Sequence, residues 1–179
     1  MSKSRLWMLT IASVTVLTAL IIAQEQKKPL SPPGTATVTF ADGKTVTIDY
    51  SRPSMRNRKI FGGLVPYDQV WRTGANAATS LKTDVALNIG GTHIPAGSYT
   101  LYTIPGMNSW QLIINKQTGQ WGTEYNQGQD LVRIPMTVTQ RSSGLEIFTI
   151  SFDKTGGNSA TLKLEWENTI ASLGIREAS

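Results

Sequence analysis

Short stretches in which apolar and polar residues alternate run through most of the chain. Residues 35–41 and 44–50 both alternate with a period of two, as strands with one buried and one solvated face do. Asp42 and Gly43 stand between them. An Asp-Gly pair flanked by alternating segments is a strong hairpin signal, because both central turn residues need a positive φ. The pattern therefore predicts a β-hairpin at the start of the body.

The same alternation returns at intervals of roughly 8–15 residues, separated by turns rich in Gly and Pro. Further strands are predicted at residues 80–89, 98–104, 110–115, 131–139, 145–152, 160–166 and 169–175. No segment of the body has the apolar period of a helix. We therefore predict an all-β protein, an antiparallel β-sandwich or flattened barrel of about nine short strands.

One long stretch between predicted strands, residues 50–79, does not alternate. This crossover loop is rich in Gly, Pro and Arg, and it also carries two Tyr, one Phe and one Trp. A long loop with its own aromatic anchors is uncommon inside a compact domain and is often functional. We therefore expect a site, if the chain has one, to involve this loop.

The chain begins with the pattern of a secretory signal, residues 1–23, in which a short basic start precedes an apolar run at residues 6–23. Ala23 suits the small residue before a cleavage site, but Ile21 fits poorly two places earlier. The run is also long enough to span a bilayer. A cleaved signal peptide and an uncleaved anchor therefore both stay open.

Either form of the leader predicts that the rest of the chain is exported, to the periplasm or the exterior. Residues 24–34 have the composition of a flexible or extended linker, and residues 35–176 are predicted to form a single β domain. Membrane contact is then expected only through an uncleaved segment at residues 6–23.

Charge and composition exclude several classes of partner and chemistry. The formal net charge is +5, and the basic residues do not cluster along one element, so no nucleic-acid partner is expected. Cysteine is absent, which excludes disulfides, thiolate zinc sites and a cysteine nucleophile. His93 is the single histidine, and the acidic residues are scattered. We therefore predict no metal and no cofactor.

Five motifs in and after the crossover loop carry a family resemblance. They are residues 50–53 (Tyr-Ser-Arg-Pro), 58–67, 70–76 (Val-Trp-Arg-Thr-Gly-Ala-Asn), 94–99 and 104–106. Together they resemble an uncharacterised bacterial family, number twenty-nine eleven among the domains of unknown function, over residues 31–175. The resemblance implies an exported all-β domain and supplies neither a reaction nor catalytic residues. It also implies a Glu after the last Asn of the third motif, where this chain has Ala77.

The candidate ligand-binding residues share either a cationic fork, an aromatic ring or a polar side chain in a loop. They are Arg52, Arg58, Tyr67, Trp71, Arg72, Thr73, Asn76, Trp121 and Tyr125. Arginine suits carboxylate or phosphate groups, and aromatic rings stack on sugars or other rings. The structural alternative stays open, since Trp71 and Arg72 would also serve as buried anchors of the loop.

These residues favour a non-catalytic binding module for an anionic or carbohydrate ligand or for an envelope partner. A carboxylate-dependent hydrolase using Glu124, Asp130 or Asp68 is an alternative, since such enzymes need paired carboxylates across a cleft. A structural or assembly protein that pairs through a sheet edge is the third. Pro135 protects a predicted edge and counts against this third reading.

Overall fold

The computed structural model describes residues 30–178, in which nine antiparallel strands form one sheet. Within that range the single helical element is a three-residue 3-10 turn at Gln127–Gln129. The predicted all-β, antiparallel fold is confirmed, and the sheet is not closed into a barrel. The predicted leader and most of the predicted linker lie outside the described residues.

The order of the strands along the sheet follows the chain except at one end, where β4 and β5 lie beyond β9. The strands are β1 (Pro33–Thr39), β2 (Thr45–Ser51), β3 (Thr79–Thr83), β4 (Leu87–Ile89), β5 (Thr92–Ile94), β6 (Gly97–Pro105), β7 (Trp110–Asn115), β8 (Asp130–Gly156) and β9 (Ser159–Glu177). The sheet order is β1-β2-β3-β6-β7-β8-β9-β4-β5.

Strand β8 joins the two halves of this sheet. Its first part, from Asp130 to Met136, pairs with β7, and its second part, from Thr137 to Gly156, pairs with β9. One half therefore consists of β1, β2, β3, β6 and β7, and the other of β9, β4 and β5. Residues of both halves belong to one apolar core, as in a sandwich.

The lengths of β8 and β9 differ from the expectation of short strands. Residues 131–139 and 145–152 were predicted as two strands, but both lie in β8, which has 27 residues. Residues 160–166 and 169–175 likewise share β9, which has 19 residues. The register between β8 and β9 shifts between Gln140 and Leu145. Such bulges interrupt the alternation without ending the strand, so the sequence resembles a turn there.

The predicted hairpin is present between β1 and β2. Of the two expected turn residues Gly43 alone adopts a positive φ, +85°, and Asp42 instead accepts a hydrogen bond at Oδ1 from the backbone N–H of Lys44 at 2.9 Å. The alternation of apolar and polar residues along β2 corresponds to a buried and a solvated face, because Val46 and Ile48 are both buried.

Tyr50 connects the two halves across the core. Its ring meets Phe148 of β8 edge-on, with centroids 5.7 Å apart. Its hydroxyl accepts a hydrogen bond from the Ile150 N–H at 2.9 Å and donates to the Ile150 carbonyl at 3.3 Å. Because Tyr50 is only 7% exposed, water cannot readily replace these bonds.

We expect Tyr50→Phe to lower the free energy of unfolding by roughly 1–3 kcal/mol, because the Ile150 N–H is left buried without its acceptor. Urea unfolding followed by tryptophan fluorescence measures this. Tyr67→Phe is the matched control, since within residues 30–178 the Tyr67 hydroxyl has no hydrogen-bond partner in the protein. Equal urea midpoints for the two variants would contradict the role given to the Tyr50 hydroxyl.

Candidate ligand-binding site

The crossover loop connects two neighbouring strands but contacts both halves of the sheet. β2 and β3, which it joins, pair directly. Ser54 forms a bridge with Ile147 of β8, while Trp71 forms one with Thr103 of β6. The Trp71 N–H donates to the Thr103 carbonyl at 2.8 Å, and the Thr103 N–H donates back at 3.0 Å. The loop is therefore fixed by backbone hydrogen bonds to strands distant in sequence.

Aromatic packing anchors the same loop to the core. The Trp71 ring stacks on Trp166, with centroids 5.9 Å apart and planes at 17°, and meets Phe148 edge-on at 5.0 Å. Phe61, also from the loop, packs against Trp110 at 4.8 Å. Trp71 is thus a structural anchor, as the second interpretation of the sequence proposed. It is only half-buried, however, and its remaining surface lines a cavity.

Thr73 holds the backbone beside Arg72 in a strained conformation. It is fully buried and has φ +55°, a region that β-branched residues rarely adopt. Its hydroxyl shares a hydrogen bond with the Thr103 hydroxyl at 3.1 Å, and its carbonyl accepts one from Thr79 Oγ1 at 2.8 Å. Strain of this kind persists only where surrounding contacts fix the backbone, and it concentrates at ligand clamps and active sites.

A cavity of about 490 Å³ lies between the crossover loop and the loop at residues 121–125. Its volume falls in the range of small-molecule sites. It is lined by Leu64, Val65, Pro66, Gln69, Val70, Trp71, Arg72, Tyr102, Gly122, Thr123 and Tyr125. The lining thus combines aliphatic and aromatic surface with a single charged side chain, the guanidinium of Arg72.

Arg72 has unused hydrogen-bonding capacity. The side chain is half-buried, and its Nε is fully buried without a hydrogen-bond partner within residues 30–178. The ion pairs in that range are Arg133–Asp130, Arg141–Glu165 and Lys163–Asp153. The Nε is closed to solvent, so an anion in the cavity would bind the terminal nitrogens of the same guanidinium, which have no hydrogen-bond partner within residues 30–178 either. Buried and half-buried polar groups are nearly always hydrogen-bonded, and an anion would supply the acceptor that this guanidinium lacks.

Gly122 lets the second loop approach the stem of Arg72. A Cβ at this position would lie 2.6 Å from Arg72 Cδ and 2.7 Å from the Asn76 carbonyl oxygen. The Gly122 N–H donates to that same carbonyl at 3.0 Å. The contact between the two loops therefore requires a residue without a side chain, and it confines the arginine.

Two tyrosines form the wall opposite the crossover loop. Tyr102 and Tyr125 meet edge-on, with centroids 4.9 Å apart. The Tyr125 hydroxyl donates to Asp130 Oδ2 at 2.6 Å and accepts from Arg133 Nη2 at 2.9 Å. Burial, together with the hydrogen bond to Asp130, raises the pKa of Tyr125 to about 12. This tyrosine is therefore neutral at physiological pH and held in place.

Three of the nine candidate residues line the cavity, namely Trp71, Arg72 and Tyr125. Arg58 lies elsewhere and binds its own loop, because Nε donates to the Met55 carbonyl at 2.9 Å and Nη2 to that of Ser54 at 2.8 Å.

Two further candidates also lie outside the cavity. Arg52 reaches Thr149 of β8, with Nη2 3.4 Å from Oγ1. Tyr67 lines a separate, smaller cavity of about 200 Å³ together with Trp110 and Glu167.

The remaining three candidates do not line the large cavity either. Thr73 is fully buried, and Asn76 is exposed, with φ +60°. Trp121 is 53% exposed and forms a backbone bridge with Ala77. The convergence of arginine and aromatic groups expected from the sequence is thus limited to one arginine and two rings.

The carboxylates proposed for a hydrolase do not line the cavity. Glu124 and Asp68 are exposed. Asp130 accepts hydrogen bonds from Asn115 Nδ2 at 2.9 Å, from Tyr125 and from Arg133 Nε at 3.0 Å. Its two oxygens are thus already used to fix the tyrosine wall.

Sequence reasoning missed Tyr102, whose ring is 1% exposed and lines the cavity. Alternation along β6 places Tyr99, Leu101 and Thr103 on one face, and Tyr102 points to the other. A bulky aromatic residue on the face opposite the core was the signal that this second face is covered. Residues 116–126 cover it, since Gln120 Nε2 donates to the Tyr102 hydroxyl at 3.0 Å.

Within residues 30–178, His, Asp and Glu nowhere form a group of three that could hold a metal ion. His93 is exposed on β5. In the same range no helix is long and apolar enough to cross a membrane.

The family resemblance is confirmed by comparison with known proteins. The model of the family described as "Protein of unknown function (DUF2911)" matches residues 31–175. Since this match covers most of the sequence, the chain belongs to this family. No curated protein and no solved structure shows significant similarity to the chain.

Tyr125 gives the site a testable pH dependence. Its pKa is about 10 in an unfolded chain and about 12 in the folded protein, so folding favours the protonated form. The resulting stabilisation is complete below pH about 10 and is lost as the pH rises through about 12. We therefore expect the free energy of unfolding to decrease more steeply over this pH interval in the native chain than in Tyr125→Phe.

Urea unfolding at several pH values in that interval measures the two slopes. Tyr125 is the one ionisable group that differs between the two proteins, so the difference between the slopes isolates it. Parallel slopes would contradict the assignment.

Proposed function

We propose that this DUF2911 protein is an exported, non-catalytic binding module whose cavity takes up an anionic ligand, with Arg72 as the ion partner. Export rests on the leader pattern at residues 1–23, and binding rests on the cavity between the two loops.

The single observation that carries the proposal is that the Arg72 guanidinium lines the cavity without an ion pair or a hydrogen-bond acceptor within residues 30–178. The arginine lines a cavity of small-molecule size that contains no second charge. A guanidinium offers five donors in a planar fork, which matches a carboxylate or a phosphate. A bound anion would accept hydrogen bonds from the Arg72 guanidinium, whose partial burial without an acceptor is otherwise unfavourable.

Preorganisation supports the same conclusion. The backbone on both sides of Arg72 is fixed, by the Trp71 pairing on one side and by the strained Thr73 on the other. The side-chain stem is confined by Gly122. A ligand would therefore not have to order a mobile loop, so binding avoids the loss of conformational entropy that such ordering costs.

The cavity favours binding over hydrolysis. A hydrolase of the proposed type needs a pair of carboxylates facing the substrate, and the lining holds none. Asp130 instead fixes Tyr125, and it does so from outside the cavity.

Arg72→Gln is expected to weaken the binding of anionic probes by about tenfold to a hundredfold, because a charge-assisted hydrogen bond contributes roughly 1.5–3 kcal/mol. Isothermal titration calorimetry of the protein measures the affinity for two chemically different anions, octanoate and trigalacturonate. The loss is expected for whichever anion the native protein binds.

Arg58→Gln is the matched control, because it removes an exposed arginine of the same loop that does not line the cavity. Circular dichroism and the melting temperature verify that both variants fold. The proposal fails if neither anion binds, or if Arg72→Gln binds them as tightly as Arg58→Gln does.

A further inference from the structure

We infer that the ligand of this cavity is an amphipathic anion, a single carboxylate or similar head group attached to an apolar body. The inference rests on the proposed function and narrows it from anions in general to one chemical class. The observations that carry it are the apolar side chains exposed around Arg72 and the shortage of free polar groups in the lining.

Exposed aliphatic side chains flank the arginine. Leu64 is 47% exposed and Val70 is 37% exposed, and both line the cavity. Residues 30–178 contain five other large apolar residues with comparable exposure, so two of seven lie at this one site. Pro66 and the uncovered part of Trp71 extend the same surface. Apolar surface left open beside a single charge fits a ligand of the same two-part character.

The two phenolic hydroxyls in the lining are already engaged. The Tyr125 hydroxyl donates to Asp130 and accepts from Arg133. The Tyr102 hydroxyl accepts from Gln120 and donates to the Glu124 carbonyl at 3.4 Å. Gln69 and Thr123 are the remaining uncharged polar side chains of the lining.

This shortage disfavours a glycan. Each sugar ring carries several hydroxyls, and every hydroxyl buried without a partner weakens binding. An alkyl or aryl body makes no such demand and gains from contact with Leu64, Val70 and Trp71. The lining therefore fits one anionic head at Arg72 and an apolar body along the exposed side of the crossover loop.

The test is isothermal titration calorimetry with butanoate, hexanoate and octanoate, with 1-octanol as the chain without a charge and trigalacturonate as the charge on a polar body. Full burial of a methylene corresponds to about a fourfold change in affinity, from about 0.8 kcal/mol. We therefore expect the affinity to rise severalfold for each added methylene. Octanol is expected to bind at least tenfold more weakly than octanoate.

Leu64→Ser is expected to weaken octanoate severalfold while leaving butanoate nearly unchanged. Leu131→Ser is the matched control, because Leu131 is similarly exposed, at 38%, and lies outside the cavity. Both positions are on the surface, so both variants are expected to fold.

The outcomes separate this inference from the proposed function. If trigalacturonate binds through Arg72 more tightly than octanoate does, the inference is overturned and the proposed function stands. An affinity that does not depend on chain length, or an octanoate affinity unchanged in Leu64→Ser, also overturns it. Octanol that binds as well as octanoate overturns it too. If no anion depends on Arg72, both the inference and the proposed function fail.

Discussion

The packing of Trp71 against Trp166 is the contact on which the arrangement of the site depends. Its ring lies between loop and sheet, stacked on Trp166 and edge-on to Phe148. Truncating a fully buried aromatic side chain of this size costs roughly 3–5 kcal/mol, and the half-buried Trp71 contributes a part of that. Both partners of Trp71 lie where β8 and β9 pair, so these contacts tie the segment beside Arg72 to the far half of the sheet. A stretch that is irregular in sequence thereby becomes a fixed part of the core.

That anchor explains how the protein tolerates an unfavourable backbone next to it. A β-branched residue such as Thr73 in the left-handed region costs about 1–3 kcal/mol. The Trp71 packing and the hydrogen bonds to Thr103 and Thr79 offset this cost. The same contacts fix the backbone from which Arg72 projects. Stability supplied by the core is thus used to hold a cation beside an open, largely apolar cavity.

Local pattern was enough to predict the architecture. Alternation placed Val46 and Ile48 in the core, and Asp42 with Gly43 marked the first hairpin correctly. The pattern failed where pairing continued through a bulge, as in β8, because a shifted register looks like a strand end. Residue propensities and the period of apolar positions describe neighbours along the chain. Strands and hairpins depend mainly on such neighbours.

The site could be predicted only in part, since it depends on contacts between distant residues. Tyr125 lines the cavity and Trp121, four positions earlier, does not. Nothing in the local sequence distinguishes them, because it is the folded path of the loop between β7 and β8 that brings Tyr125 beside Tyr102. Among the arginines, the Arg58 guanidinium donates hydrogen bonds to carbonyls of its own loop, whereas that of Arg72 has no acceptor within residues 30–178. That difference follows from the path of the folded loop.

The most direct test of this account is to observe the Nε–H group of Arg72 by nitrogen-15 NMR, with the signal assigned from its loss in Arg72→Lys. The free protein should show this proton without the downfield shift that a hydrogen bond causes. Saturation with octanoate should then change its chemical shift, because the carboxylate binds the terminal nitrogens of the same guanidinium, while the Arg58 signal, whose Nε–H already donates to Met55, stays in place. An Arg72 signal that is already shifted in the free protein, or that does not respond when octanoate is bound, would contradict the claim that the fold holds this guanidinium ready for an anion.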